Sequence, residues 1–573
     1  MRFSHCFLLF LSTLLVSACG DSPMDTEELV AKGGKKYGGE FRFMSPEKLN
    51  SLFPAYNYHL HSSRVFSQIY EPLISYNIAL AKTEYAVAES IDESPDSKTF
   101  TIHIRKGILF HEDDCFNGGD RELNASDVKF TFDLACSGLH DNKISYLLKN
   151  IVSGAQSYFD STQKSQKLDS KGVSGIRVID DYTLEIQLNS PHNGFENILS
   201  NPYLGIVSKR SFDHYGKDIH KHPVGSGPFV LEKFESDEIR LTRNPEYWKK
   251  DEFGNQLPFL AHVVVTYAEN KRSELMAFRK SDIDLVLTIP VEEIENILGT
   301  LKEAQEGKNV MHRMDAEMSL SMRSIGMNCE SDVFKNKQVR KAFNLAIDRE
   351  SLIENWLEGE GYAAGGFVPS MGESYDNSVI NGHRFDPEKA RSLLSEAGYE
   401  SDFPELEIYT SAKEGTGNYL MCQGIVEQLN KNLGINLSVK PATREEVESA
   451  IRSGKALLWA TSWIADYPDP ENFLSIFYGK NMAHNTPQNL FKYTSAEFDK
   501  FFEDASSEKN AEVREKLLQQ CDQILVDEAA VIPVLTHTHM VMINARIRNF
   551  EASPMEGLDL RSVFIKEIKT DDG

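Results

Sequence analysis

Cysteine is scarce in this chain, with seven in 573 residues. None forms a C-x-x-C pair or follows zinc-ligand spacing, which excludes zinc ribbons and dithiol redox motifs. Basic charge is also in deficit: 61 Lys and Arg stand against 86 Asp and Glu, a net charge of −25. That balance opposes attraction to nucleic acid or anionic lipid, so no nucleic-acid partner is expected. Catalytic signatures are missing too. There is no GxSxG elbow, no HExxH and no GxxxxGK[ST] loop, so catalysis is not indicated and neither a metal nor another cofactor is expected. Beyond the first nineteen residues no apolar run is long enough to cross a bilayer of about 30 Å. What remains is ample: 41% hydrophobic residues suffice for several cores in roughly two or three domains.

The most telling stretch comes first. MRFSHCFLLFLSTLLVSACG joins a basic Arg2 to an apolar run from Phe7 to Val16 and ends with small residues ahead of Cys19. The run is too short to span a membrane, so a cleaved export signal is expected. Its end resembles a bacterial lipobox, which implies that Cys19 becomes the first mature residue and carries lipid on thiol and amine. More than one acyl chain makes such an anchor stable. An ordinary cleaved signal with an incidental cysteine is the alternative. Residues 20–38 are polar and glycine-bearing, as expected of a tether, with order beginning at Glu40-Phe41-Arg42-Phe43. The expected location is the cell envelope, on the periplasmic side. In that oxidising setting Cys115–Cys136 is the favoured disulfide, because the intervening loop is short and a helix after Asn124 brings its ends near each other. Separate buried thiols remain the other reading.

Strand and helix patterns interleave to the end of the chain, which predicts mixed α/β domains. Phe100, Ile102 and Ile104, like Leu184, Ile186 and Leu188, alternate as in half-buried strands. Helices announce themselves by caps: Asn124 with Asp127 before a helix through Leu134, Asp386-Pro387 before Ala390, Leu393, Leu394 and Ala397, and Gly398 after them. Further helices are expected at Val339–Ala346 and after Asp348, the latter with Leu352, Ile353, Trp356 and Leu357 inward.

An ordered set of segments carries a resemblance. Tyr70-Glu71-Pro72-Leu73 is followed by KTFTIHIRKGILFHEDD (98–114), RELNASDVKFTFD (121–133), HPVGSGPFVLEKF (222–234) and RNPEYW (243–248). Then come KNKQVRKAFNLAIDRESLI (335–353), FDPEKARSLLSEAGY (385–399) and WIADYPDPENF (463–473). From about Gly39 to its end the chain resembles the family 5 extracellular solute-binding proteins of ABC importers, which include dipeptide- and oligopeptide-binding lipoproteins. The resemblance implies a periplasmic-binding-protein-like α/β fold of two hinged lobes, with an extra domain enlarging the first. It assigns 39–62, 200–290 and 528–573 to lobe I, 63–199 to the extra domain and 291–527 to lobe II. The implied function is capture of peptides by a lipid-anchored monomer that delivers them to a membrane permease. A non-peptide ligand of the same family (nickel, haem or oligosaccharide) and a secreted peptide hydrolase are the alternatives.

The segment from Ala456 to Trp463 reads as a buried strand running into the proline-pinned acidic turn Asp466-Tyr467-Pro468-Asp469-Pro470, a good place to present a carboxylate to a cleft. From residue type alone, a cap for that turn or the following helix is the favoured role of Asp466, with Asp469 or Glu471 filling it in other frames. The resemblance implies that Asp466 holds a ligand's α-amino group, a charge-assisted contact strengthened in a closed cleft. Trp463 and Tyr467 are candidate walls, and His61, Gly225 and Ser226 are positional candidates. Dipeptide binders of the family place a carboxylate-binding arginine in the region equivalent to 408–420, whereas IYTSAKEGTGNYL has none and offers Lys413 nearby. That departure leaves longer peptides and other ligands open. Two histidine pairs, His59/His61 and His537/His539, would each share a face if strand-borne, the second on a crossover strand at the surface, but neither has a third ligand near in sequence.

Overall fold

Period-two burial builds the strands. Thr99–Ile104 buries Phe100, Ile102 and Ile104, and pairs with Thr183–Gln187, which buries Leu184 and Ile186. With Ala88–Glu93 and Ile176–Asp180 on the two edges they form a four-stranded antiparallel sheet. The computed structural model describes residues 30–287, 289, 312–399, 402–482 and 489–566. The export signal with Cys19, and the expected lobe boundary at 290/291, lie outside them.

Two larger sheets define the lobes. The first has seven strands in the order His312–Met318, Thr538–Asn544, Leu285–Val286, Glu40–Ser45, His262–Tyr267, Ile239–Arg243, Phe229–Phe234. The second has six: Tyr362–Ala363, Val531–Thr536, Ser321–Met327, Leu458–Ile464, Leu406–Thr410, Leu437–Pro441. Each face of the six-stranded sheet carries its own core, so neighbours alternate between them: Ile408 and Leu458 face one, Tyr409 and Trp459 the other. The four-stranded sheet instead shares one continuous core with the seven-stranded sheet, Phe100 and Phe132 belonging to the same cluster as Phe41 and Phe550.

The lobes are joined where strands change sheets. His312–Met318 continues through Ser319 and Leu320 into Ser321–Met327, and Val531–Thr536 continues through His537 into Thr538–Asn544. The two crossings are bonded to each other, Ser319 N donating to His537 O at 3.0 Å and Thr536 Oγ1 to Ser319 O at 3.3 Å. The strands therefore change sheets at 319–320 and at 537. No glycine or proline marks either place; the hydrogen-bond partners change as the chain runs on from one strand into the next.

Caps behave as their residue types dictate. Asn124 Oδ1 accepts from Ser126 N at 2.9 Å while Asp127 accepts from Asn124 N at 3.2 Å, opening Ala125–Ala135. Asp348 opens Arg349–Trp356, and Asp386 opens Pro387–Glu396 with Gly398 beyond it at φ 92°. Three expectations are corrected. Cys115 and Cys136 are separate buried thiols, because the helix carries Cys136 to its far end, about 16 Å along its axis. The tether is shorter than 20–38: Ala31 and Lys35 are buried, and Lys35 pairs with Asp251 at 3.0 Å and Glu252 at 2.9 Å. The first histidine pair is not strand-borne: His59 precedes the helix Leu60–Phe66 and His61 lies in its first turn. The second does lie on the crossing segment with both rings toward Glu556, but His539 is buried, not at the surface.

Candidate ligand-binding cleft

A cavity of about 850 Å³ lies between the lobes, within the size range of small-molecule sites. Contacts across its mouth hold the lobes together. Arg444 pairs with Glu47 at 2.5 Å, Tyr58 donates its hydroxyl to Glu448, and Asn197 Nδ2 donates to Asp469 Oδ2 at 2.9 Å. His192 Nε2 lies 3.1 Å from Glu471 Oε1, and Asn150 Nδ2 donates to Asn481 Oδ1 at 2.6 Å.

The acidic turn divides its labour. Asp469 caps Pro470–Leu474, accepting from Glu471 N at 2.9 Å, and also pairs with Arg514 at 2.9 Å. That frees the Asp466 carboxylate, which lines the cavity. Asn472 fixes the turn from below: its Oδ1 accepts from Asp466 N at 3.2 Å and from Trp463 Nε1 at 2.8 Å. Tyr146 Oη from the extra domain reaches Asp466 Oδ2 at 3.4 Å. Among the described residues no cationic side chain pairs with Asp466. Burial pushes its carboxyl up to about 7, and the polar side chains of Asn201, Tyr146 and Asn472 offset only part of that cost.

The other candidates separate. Trp463, Lys413 and His61 line the cavity. Burial, helped by the charges of Arg64 and Arg444, pushes the His61 ring down to about 3, so it is neutral. Lys413 is exposed and donates to Glu269 O at 3.5 Å. Tyr467 is buried in the first lobe's core and does not line the cavity. Gly225 and Ser226 do not line it either. A Cβ on Gly225 would stand 2.0 Å from Ile69 O, so this turn exists to let two backbones approach. Ser226 Oγ is buried without a partner.

Sequence reasoning missed several cavity residues because their partners are remote in the chain. Arg64 donates Nε to Glu556 O, 492 residues away, at 2.8 Å. Glu556 in turn accepts from Ser319 Oγ at 2.7 Å and lies 3.2 Å from His537 Nε2, tying the cleft to both crossings. Although burial opposes it, the bond to His537 and the neighbouring His539 and Arg64 hold the Glu556 carboxyl well below the usual range. Glu274, also lining the cavity, is pushed up to about 7 by burial and accepts from Leu287 N at 3.1 Å. Among the described residues no group of three or more His, Cys, Asp or Glu could hold a metal ion.

A hinged pair of α/β lobes around a cleft that holds a buried carboxylate without a cationic partner defines a ligand-trapping protein. The family profile described as bacterial extracellular solute-binding proteins, family 5 Middle, matches residues 82–485, and the chain belongs to that family. It is 27% identical over 570 residues to the heme-binding protein A of Haemophilus influenzae, covering 97% of each chain. It is also 27% identical over 477 residues to the di/tripeptide-binding protein 1 of Pseudomonas aeruginosa, covering 82% of this chain and 83% of that one. In fold it matches the ABC transporter-associated periplasmic binding protein DppA from Helicobacter pylori, in complex with the peptide STSA. The TM-score is 0.77 at 24% identity, over 93% of this chain and 99% of that chain.

Proposed function

We propose that this protein is the solute receptor of an ABC importer, capturing peptides by their free α-amino group and delivering them from its closed form to a membrane permease. Asp466 carries the reading. A buried carboxylate with no counter-ion is costly, and an ammonium group of a ligand supplies the missing charge together with three donors. Relatives named for di- and tripeptides support peptide as the ligand class. The same reading makes Cys19 the lipid-bearing first residue, keeps the protein on the periplasmic side of the envelope as a monomer, and assigns it no reaction.

The test is a melting and calorimetry screen of the soluble form beginning at residue 20, using free and N-acetylated di-, tri- and pentapeptides, after native mass spectrometry for co-purified ligand. Stabilisation by free-amine peptides alone is expected. Asp466→Ala is expected to lose about 100-fold or more in affinity with the fold retained. Binding of free-amine peptides by that variant as tightly as by the parent overturns the assignment.

Haem is the second reading, favoured by the heme-binding relative and by His59 and His61, whose rings line the cavity and are kept neutral by burial, at about 4 and about 3. Both rings already face arginines, Arg444 Nη1 at 3.2 Å from His59 Nδ1 and Arg64 Nη1 at 3.4 Å from His61 Nδ1. A saturable shift of the haem absorption band on titration, with no response to any peptide, would favour this reading.

A further inference from the structure

Four arginines line the cleft, and three of them have their guanidinium groups engaged. Arg64 is bonded to Glu556 and reaches His61, Arg444 bridges Glu47 and His59, and Arg561 is forked onto Asp559 through Nε at 2.8 Å and Nη2 at 2.5 Å. Arg323 differs. Its Nη2 donates to Glu360 Oε1 at 3.2 Å, and among the described residues that is the only bond its side chain makes. A guanidinium has five N–H donors, and Arg323, 13% exposed, leaves the rest unmet; its Nη1 is buried with no acceptor at all.

Arg323 and Glu360 meet at the start of a helix. Arg323 projects from Ser321–Met327, and Nη1 lies 3.8 Å from where a Cβ on Gly417 would stand, at the start of the helix Gly417–Leu433. The preceding Thr416 gives its hydroxyl to Lys413 O at 2.7 Å and makes no capping bond, Glu360 Oε2 lies 3.6 Å from the same Gly417 Cβ position, and Lys413 lines the cavity. Glu360 fixes the guanidinium through Nη2 and takes one of its five N–H donors, so the remaining donors are unspent for a second, charge-assisted acceptor.

We propose that Arg323, positioned by Glu360, binds the terminal carboxylate of the ligand, so that the cleft reads both ends of a short zwitterionic peptide. The inference rests on the peptide reading above. It also sets a length. Arg323 lies opposite Ser462 across the paired strands, and Asp466 follows four residues later, in the turn just past the strand's end at Ile464, at most about 13 Å further along the chain. A peptide advancing at roughly 3.3–3.6 Å per residue spans that interval with about three or four residues, longer than a dipeptide.

The experiment is calorimetric titration of a neutral peptide series, two to six alanines, each as free acid, C-terminal amide and N-acetyl form, against the parent, Arg323→Gln and Arg323→Lys. Unliganded melting temperatures check the fold. The parent is expected to favour free acid over amide by 10-fold or more, most strongly at three or four residues. Arg323→Gln is expected to bring that ratio close to one while still preferring free amine over N-acetyl, and Arg323→Lys to retain part of the acid preference. A parent that discriminates at the amine but treats acid and amide alike overturns the carboxylate assignment and leaves the Asp466 reading standing. An unchanged acid-to-amide ratio in a folded Arg323→Gln overturns it equally. Failure of every peptide to bind overturns both.

Discussion

Asp466 is where burial, charge and ligand meet. Its carboxyl ordinarily titrates near 3.8 and stands at about 7 in the unliganded cleft because burial disfavours the charged form. A ligand ammonium requires that charge, so protons compete with peptide below neutrality. At pH 5, two units below the cleft value, affinity for a free-amine peptide should be about 100-fold weaker than at the plateau. It should fall again above about pH 8 as the ligand's own amine deprotonates. Glu274, also at about 7, titrates in the same range, so the profile is taken beside Asp466→Asn, in which the dependence assigned to Asp466 should vanish. The same shift has a folding consequence. Between pH 4 and 7 the native chain holds a proton that the unfolded chain releases, so unliganded stability falls as pH rises through that window. Asp466→Asn should therefore melt roughly 2–4 °C above the parent at pH 8 and gain little at pH 4, where both side chains are uncharged. An equal gain at both pH values would show that the carboxylate is not strained in the empty cleft.

At the level of elements, the segment from Leu458 to Leu474 shows how neighbouring acids acquire different tasks. The strand delivers the chain to the cleft, Pro470 and the Asp469 cap start a helix at once, and Asp466, three residues earlier, is left without a backbone partner for its carboxylate. That much was legible in the sequence, since a strand, a proline-pinned turn and a cap are local devices. Gly225 and Ser226, positional candidates for the ligand, sit in a turn that does not line the cavity. The turn's purpose is a close approach to residues 68–70, where Gly227 N donates to Ile69 O at 2.8 Å, and no local pattern reveals a neighbour more than 150 residues away. Gly225→Ala should cost about 2–4 kcal/mol in denaturant unfolding, because the colliding atom is a backbone carbonyl and has nowhere to go. Ser226→Ala should be neutral or slightly stabilising, since its buried hydroxyl has no partner to lose. Neither unfolding nor peptide affinity should respond to Ser226→Ala. A loss of affinity there would restore Ser226 to the ligand site. Arg323 and Glu360 escaped notice similarly. They lie 37 residues apart, Arg323 on a strand and Glu360 two residues before the strand Tyr362–Ala363, and meet only when the six-stranded sheet forms.

For the whole molecule, the two crossings at Ser319–Leu320 and His537 leave the lobes free to part, because only a few residues must change their backbone angles. Closure is then set by what bridges the mouth. Asn197 and Asn150 contribute to the bridge without lining the cavity, and Asp469 keeps Arg514 when Asn197 is removed. Ligand affinity equals the closed form's intrinsic affinity scaled by how much of the protein is closed. Removing both amides in an Asn150→Ala/Asn197→Ala variant should weaken every peptide by the same factor, up to about 30-fold at roughly 1 kcal/mol per lost hydrogen bond. Free acid, amide and N-acetyl forms should shift together. Small-angle scattering should give a larger radius for the unliganded variant than for the parent, and the same radius for both at saturation. A loss confined to one peptide form would make these asparagines ligand contacts, while an unchanged radius and affinity would mean that Arg444–Glu47 and Tyr58–Glu448 on the other side of the mouth suffice to hold it shut.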